Sequence, residues 1–126
     1  MISHMSLGIR DVATSTPFYD SILGPLGYSR RADTKPGEIS YGPPGAALFW
    51  LYETPAAGQL ASPGTHVAFR AASRDSLHLA AHAAKGFGAP FTREPGPHPD
   101  IATDYYGAIF LDPDGHKLEI VVEAAP

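Results

Sequence analysis

The sequence contains no cysteine in its 126 residues, which excludes disulfides, thiolate metal sites and a cysteine nucleophile. Positive charge is also scarce: 9 Lys and Arg stand against 13 Asp and Glu, for a net charge of -4. Because no basic stripe is present, we expect no nucleic acid partner. Long apolar runs are missing too. The longest, residues 46–52, is far too short to span a membrane, and no signal peptide pattern opens the chain. We therefore expect a cytoplasmic protein without a membrane partner.

What the sequence does contain is the balance of a soluble globular protein. Hydrophobic residues make up 44% of the chain and charged residues 17%. A chain of this length can bury one core of ordinary size, but not two independent ones. The composition therefore predicts a single domain over residues 1–126.

Thirteen glycines and thirteen prolines divide the chain into short segments whose order repeats. Two successive βαβββ units are predicted, over about residues 1–53 and 65–126, with a linker at 54–64. The pattern predicts an α+β fold in which the two units form a cup-shaped mixed sheet with helices on its outer face. The predicted strands are 2–9, 28–32, 38–41, 46–53, 65–71, 89–92, 105–111 and 116–123, and the predicted helices are 14–23 and 73–85.

A comparison of the two halves supports the repeat. Residues 4–7 match residues 66–69, and residues 42–49 match residues 112–119, so that the offset grows from about 62 to about 70. The extra residues fall most naturally in the proline-rich stretch 92–104. A long loop there is either functional or a plain surface connection.

Turn chemistry predicts which side chains share a face of the sheet. The sequence Pro113-Asp114-Gly115 suits a three-residue hairpin, a register that places Ile109 opposite Glu119. Glu119 then shares the concave face with Ile109 and Tyr105. The same logic at Pro43-Pro44-Gly45 places Ile39 opposite Phe49 on that face. It leaves Leu48, Trp50 and Tyr52 to pack under the helices.

Three side chains converge on a metal site in this scheme. His4 and His66 occupy matching positions on the first strand of each repeat, and Glu119 lies on the last strand facing the concavity. A carboxylate flanked by Leu118 and Ile120 costs free energy unless something pairs with it. Two imidazoles and a carboxylate with open positions suit one divalent ion such as Fe, Mn, Ni, Co or Zn. Each His alone could equally be structural or solvated.

The chain resembles the vicinal oxygen chelate superfamily, which includes glyoxalase I, fosfomycin-inactivating thiol transferases, extradiol dioxygenases and bleomycin-binding proteins. The resemblance covers nearly the whole chain. It rests on His4 opening the first strand, on Pro17-Phe18-Tyr19 in the first helix, on residues 64–69, and above all on Asp112-Pro113-Asp114-Gly115-His116-Lys117-Leu118-Glu119. The resemblance implies that His4, His66 and Glu119 are the metal ligands.

The sequence departs from glyoxalase I at one position. In that enzyme a fourth ligand lies on the fourth strand of the first half, where the repeat alignment places Phe49. The remaining three-ligand set is more similar to the fosfomycin enzymes and the extradiol dioxygenases. Two functions stay open: a metal-dependent enzyme that chelates a small oxygen-bearing substrate by lyase, dioxygenase or thiol-transferase chemistry, or a drug-binding protein of the bleomycin-resistance type without catalysis.

Further site candidates surround the predicted concavity. We expect catalytic roles for Glu119, Tyr105 and His98, although Tyr105 could simply pack and His98 could be a solvated loop residue. Substrate-binding candidates are Phe49, Arg70, Tyr105 and Tyr41.

Two histidines outside that concavity have a simpler interpretation. His78 and His82 form an i, i+4 pair that can bind metal, but they lie off the apolar stripe of their helix. A solvated helix face explains their positions better.

Assembly follows from the half-open sheet that one βαβββ unit makes. Its concave face needs a partner unit, and many relatives pair units between chains. The linker 54–64 is long enough for the units to pair either within one chain or between two chains. We expect a homodimer, an arrangement in which His4 can come from one chain and His66 with Glu119 from the other.

Overall fold

The computed structural model describes residues 1–55 and 58–123. Residues 56 and 57 of the predicted linker and the last three residues of the predicted second repeat lie outside the described residues. The helices are α1 (Val12–Leu23) and α2 (Arg74–Gly86), with a short 3-10 turn at Gly24–Leu26. The strands are β1 (Met5–Ile9), β2 (Ser29–Arg30), β3 (Glu38–Gly42), β4 (Phe49–Glu53), β5 (His66–Ala71), β6 (Phe91–Pro97), β7 (Tyr106–Leu111) and β8 (Lys117–Val122).

The predicted fold class is confirmed, because the elements form two βαβββ repeats. The first repeat makes a four-stranded sheet of order β1-β4-β3-β2, termed sheet A, and the second makes sheet B, of order β5-β8-β7-β6. In each sheet the first strand runs parallel to the fourth, and the other pairs are antiparallel. The topology of the two halves is therefore the same. No helix of the described residues is long and apolar enough to cross a membrane.

Both helices begin at side chains that accept hydrogen bonds from the free amides of the first turn. Asp11 caps α1 by accepting hydrogen bonds from the amides of Ala13 and Thr14. The hydroxyl of Thr14 donates to the same carboxylate, and this bond, together with those from the amides, lowers the pKa of Asp11. Ser73 caps α2 in a reciprocal capping box with Ser76. The apolar side of each capped helix packs against the sheet of its own repeat.

The two sheets share one hydrophobic core, and neither has a separate core of its own. Each sheet buries one face against the helices, and aromatic rings join the halves. Phe49 of sheet A meets Phe69 of sheet B with ring centroids 5.1 Å apart, and Phe18 of α1 lies 6.4 Å from Phe110 of β7. The faces of both sheets that turn away from this core are called the open faces below.

A buried polar joint fixes one half against the other. Tyr19 of α1 donates its hydroxyl hydrogen bond to Asp112, which follows β7, and Asp112 also accepts from the amides of Asp114 and His116. The ring of His116 in turn donates to the carbonyl of Gly8 in β1 at 2.6 Å. Burial raises the pKa of Asp112, while these hydrogen bonds and the nearby His116 lower it. The joint thereby holds β1 in place relative to the β7–β8 hairpin.

The hairpins of the two repeats turn differently, and this overturns one predicted register. In the second repeat Gly115 is the fourth residue of its turn, with φ +86°, and Ile109 pairs with Glu119 as predicted. In the first repeat the amide of Ala46 bonds to the carbonyl of Pro43. Gly45 is therefore the third residue of its turn, with φ +82°.

This turn places the β3–β4 hairpin one residue out of step with the predicted alignment of the two repeats, so that Phe49 corresponds to Leu118 and not to Glu119. Tyr41 pairs with Phe49 and Ile39 with Leu51, so the predicted pairing of Ile39 with Phe49 is wrong by two residues. Because neighbouring residues of a strand point to opposite faces, the one-residue change in alignment puts Phe49 on the face that Leu118 occupies in sheet B. Phe49 is accordingly in the core, and Trp50 and Tyr52 lie on the open face of sheet A instead of under the helices.

The stretch 92–104 is not one long loop. Strand β6 runs through Pro97 with register shifts on either side of Arg93, so only residues 98–105 connect it to β7. Two of the three prolines in this stretch, Pro95 and Pro97, lie in β6, which accommodates them because it is the edge strand of sheet B.

Candidate functional site

The open face of sheet B carries the polar side chains that the sequence singled out. Along β5, Val67, Phe69 and Ala71 are buried, while His66 and Arg70 alternate with them on the open face. On β8, Glu119 lies on that same face. The predicted placement of His66, Arg70 and Glu119 on one face agrees with the structure.

His66 and Glu119 approach each other closely. The Nε2 atom of His66 lies 3.3 Å from Oε2 of Glu119. The side chain of Glu119 is only 14% exposed, whereas that of His66 is 44% exposed. The Glu119 carboxylate is thus largely removed from water and lies beside an imidazole. Its remaining lone pairs are available to a ligand that binds at the open face.

The second oxygen of the Glu119 carboxylate accepts a hydrogen bond from Tyr105. Its hydroxyl donates to Oε1 of Glu119 at 2.8 Å. Burial raises the pKa of Tyr105, and the hydrogen bond and negative charge of Glu119 raise it further, so the phenol stays a proton donor. Tyr106 points to the other side of the sheet, where its ring lies under Arg74 and its hydroxyl meets His78. Tyr105 therefore lies on the face that the sequence predicts for it.

A glycine makes room for the phenol. A Cβ atom built on Gly107 would lie 2.4 Å from the Tyr105 hydroxyl oxygen and 2.7 Å from its ring carbon Cζ. Any other residue at this position of β7 would displace the phenol from Glu119. The cluster of His66, Glu119 and Tyr105 thus depends on a residue that contributes no side chain.

His4 does not belong to this cluster. It is exposed and lies one residue before β1, two positions from Ser6, which pairs with Trp50 on the open face of sheet A; its Nδ1 atom is 2.9 Å from the hydroxyl of Ser3. Within residues 1–55 and 58–123, no three His, Asp or Glu side chains come together in a way that could hold a metal ion. One chain therefore brings together two of the three predicted ligands.

Two of the predicted substrate-binding residues, Phe49 and Tyr41, lie in the core and not on an open face. Phe49 is 2% exposed and packs among Tyr19 and Phe69, so it does not line the open face. Tyr41 is fully buried and its hydroxyl donates to Asp20 of α1 at 2.8 Å; burial raises its pKa, and this hydrogen bond raises it further. Both errors follow from the shifted register of β3 and β4.

Trp50, and not Phe49, occupies the position that matches Glu119 in the other repeat. Met5 pairs with Phe49 in sheet A, and Val67 pairs with Leu118 in sheet B. Trp50 and Glu119 are the next residues of β4 and β8. Trp50 stacks on Tyr52 with ring centroids 6.0 Å apart and planes 10° apart. The first repeat therefore offers an aromatic pair where the second offers a carboxylate.

The remaining candidates lie at or beyond the rim. His98 is exposed after β6, bonds to the carbonyl of Glu94 at 2.7 Å, and has its ring 5.9 Å from that of Tyr105. Arg70 is exposed and pairs with Glu123 at 2.5 Å. His78 and His82 lie on the exposed side of α2, away from the cluster.

Trp50 and Gly107 are the site residues that sequence reasoning missed. The apolar run through residues 46–52 hid the face of Trp50, because both alternations of that run are apolar. The signal for Gly107 was its position two residues after Tyr105, on the face already assigned to Glu119.

Comparison with known proteins gives the family. The model of the Glyoxalase/Bleomycin resistance protein/Dioxygenase superfamily matches residues 1–120. No curated protein matches the chain significantly. Among solved structures, a glyoxalase/bleomycin resistance protein from Albidiferax ferrireducens T118 is 24% identical with a TM-score of 0.81. The match covers 97% of this chain and 98% of that one.

Two further structures share the fold. A glyoxylase/bleomycin resistance protein/dioxygenase domain from Frankia sp. EAN1pec is 24% identical over 98% of both chains, with a TM-score of 0.71. The fosfomycin resistance protein FosX from Listeria monocytogenes is 18% identical over 98% of this chain and 93% of its own, with a TM-score of 0.69. With its paired βαβββ sheets and a family model that spans nearly its full length, the chain belongs to the glyoxalase/bleomycin resistance protein/dioxygenase superfamily.

Proposed function

We propose that the protein is a divalent-metal-dependent enzyme that chelates a small oxygen-bearing substrate. The observation that carries this proposal is the pairing of His66 Nε2 with Glu119 Oε2 at 3.3 Å on an open sheet face. Two ligand atoms at about 2.1 Å from an ion, at right angles to each other, lie about 3 Å apart. The spacing of His66 and Glu119 therefore fits two neighbouring ligands of one ion.

The third ligand in this proposal is His4 of a second copy of the chain. His4 occupies on sheet A the position that His66 occupies on sheet B, and both lie on open faces. In a two-fold symmetric dimer, sheet A of one copy faces sheet B of its partner twice. Each of the two sites then receives one histidine from one chain and the His66–Glu119 pair from the other.

The surroundings of Glu119 support chemistry in a site with little water. Ile109 pairs with Glu119 across the strands and is 9% exposed, and Ala68 is its neighbour on β5. Electrostatic interactions strengthen where water is excluded. Arg70, four residues beyond His66 on the same face, supplies a cation for an anionic part of the substrate. When bound, a divalent metal of this kind acts as a Lewis acid toward substrate oxygens.

A second candidate function is drug binding without catalysis. The Trp50–Tyr52 pair favours it, because stacked rings on an open face offer apolar area to a flat ligand. The two functions differ in metal content, since the binding role needs no ion at His66 and Glu119.

Metal analysis of purified protein tests the first proposal. We expect about one divalent ion per chain in the wild type and a loss of at least about tenfold in metal affinity for His4→Ala, His66→Ala and Glu119→Gln. His82→Ala is the matched control, because it removes an exposed histidine of α2 outside the site. Unchanged metal content in the three site variants, measured by elemental analysis, would refute the metal site and leave the drug-binding role. Hemithioacetals, catechols and epoxides form the first substrate screen.

A further inference from the structure

The two oxygen atoms of the Glu119 carboxylate have different neighbours. Oε2 lies beside His66 Nε2, whereas Oε1 accepts the hydrogen bond of Tyr105 at 2.8 Å. A carboxylate that is free to rotate can offer an ion either one oxygen or both. Of these two oxygens, Oε1 already has a donor, whereas the partner of Oε2 among residues 1–55 and 58–123 is His66.

Tyr105 is fixed in this position by the strand that it precedes. Its phenol lies along β7 over Gly107, in the space that any other side chain at residue 107 would fill. It is also half-buried, with the His98 ring 5.9 Å away. A rigid, partly desolvated donor keeps a carboxylate in one orientation at little entropic cost.

We infer that Tyr105 is a positioning residue that restricts Glu119 to single-oxygen ligation by Oε2, which sets the affinity and the coordination geometry of the proposed metal. The inference deepens the proposed function and rests on it. Partners that orient a metal ligand typically change metal affinity by about 10- to 100-fold when they are removed. Single-oxygen ligation also leaves one more position at the metal for a substrate oxygen than two-oxygen ligation would.

Tyr105→Phe removes the hydroxyl and keeps the ring, so it isolates the hydrogen bond. Tyr106→Phe is the matched control, since its hydroxyl lies on the opposite face against His78. Gly107→Ala is less clean, because its Cβ would also press the carbonyl oxygen of Ile120 at 2.7 Å. Far-ultraviolet circular dichroism and urea unfolding of both tyrosine variants check that each one is folded.

The test is a chelator competition titration with Co(II), followed by the visible spectrum of the Co(II)-loaded protein. Tyr105→Phe should bind Co(II) about 10- to 100-fold more weakly, and its d–d bands should lose intensity as Glu119 takes up two-oxygen ligation. Tyr106→Phe should match the wild type in both measurements.

Each other outcome counts against the inference. Equal affinity and an equal spectrum in wild type and Tyr105→Phe would overturn the role of Tyr105 and leave the metal site standing. Equal losses in both tyrosine variants would show a general effect on the sheet and overturn it as well. A wild-type protein that binds no Co(II) would overturn the proposed function, and this inference with it.

Discussion

The open faces of the two sheets have the same backbone and opposite chemistry. Sheet B presents a carboxylate that is hydrogen-bonded to a tyrosine and adjoins a histidine. At the matching position sheet A presents Trp50, stacked on Tyr52. His4 and His66 are what the two faces have in common. Repetition has therefore kept one histidine on each face, while only the second repeat carries the acid.

In the proposed metal site this difference explains why one chain supplies only two of the three ligands at one place. A carboxylate beside each histidine would give both faces the same pair of ligands. With Trp50 in one place and Glu119 in the other, the faces are complementary rather than equivalent. Complementary faces gain from being brought together, which in a two-fold dimer happens between chains.

The largest expected effect separates Phe49 from its neighbour Trp50. Phe49→Ala should lower the free energy of unfolding by about 3 to 5 kcal/mol, because it leaves a cavity where sheets A and B meet. Trp50→Ala, on the open face, should cost less than about half as much. Urea unfolding at equal protein concentration measures both. If Trp50→Ala were the more damaging change, the placement of Phe49 in the core and of Trp50 on the open face would be incorrect.

The joint between the halves should contribute the next largest effect. Tyr19→Phe removes the hydroxyl that donates to buried Asp112 and should cost about 1 to 3 kcal/mol at pH 7. That hydrogen bond lowers the pKa of Asp112 against the stronger effect of burial, which raises it. The bond is therefore strongest above the pKa of the folded carboxyl and is lost as that carboxyl takes up a proton.

The deficit of Tyr19→Phe should accordingly shrink as the pH falls from neutral through the raised pKa of the folded Asp112 carboxyl. Urea unfolding of wild type and variant over a pH series gives the difference directly. A deficit that grows on acidification would mean that Tyr19 does not stabilise the ionised form of Asp112.

Adding a carboxylate to sheet A would make the two faces alike. Trp50→Glu places an acid beside His4 in the relation that Glu119 has to His66, and it should tighten metal binding about tenfold or more. Phe49→Glu is the contrast, since it buries an unpaired charge in the core and should unfold the protein. Metal titration of the folded Trp50→Glu variant measures the gain. Weaker binding would show that residue 50 does not face the ion.

The smallest effect concerns the rim of sheet B. Arg70 and Glu123 form an exposed ion pair, with side chains 73% and 52% accessible. Arg70→Ala should change the free energy of unfolding by less than about 0.5 kcal/mol. Its effect should appear instead in a weaker affinity for anionic ligands, measured by calorimetry. A large loss of stability would indicate that Arg70 packs into the fold.

The sequence was enough to predict the repeat and which side chains share the open face of sheet B, because alternation there is unambiguous. Along β8, apolar Leu118 and Ile120 flank a single acid, so only one face can be buried. In β4 the run from Phe49 to Tyr52 is apolar on both faces, and the turn alone decides the register. Pro-x-Gly fits two turns whose glycines differ by one position, and sequence could not choose between them.

The position of His4 depends on a feature that one sequence does not carry, namely how two copies meet. Strand alternation predicts the face of His4, and the repeat predicts its counterpart His66. Whether the two histidines share an ion is a property of the assembly. The homodimer and the exchange of His4 between chains stay predictions.

Mixing two metal-free variants tests the shared site most directly. His4→Ala and Glu119→Gln should each lose the metal when pure. Unfolded together in equal amounts and refolded, they should form mixed dimers in which one of the two sites has all three ligands. We predict that such mixtures recover up to one ion per mixed dimer by elemental analysis. Mixtures that bind no more metal than the separate variants would contradict a site shared between chains.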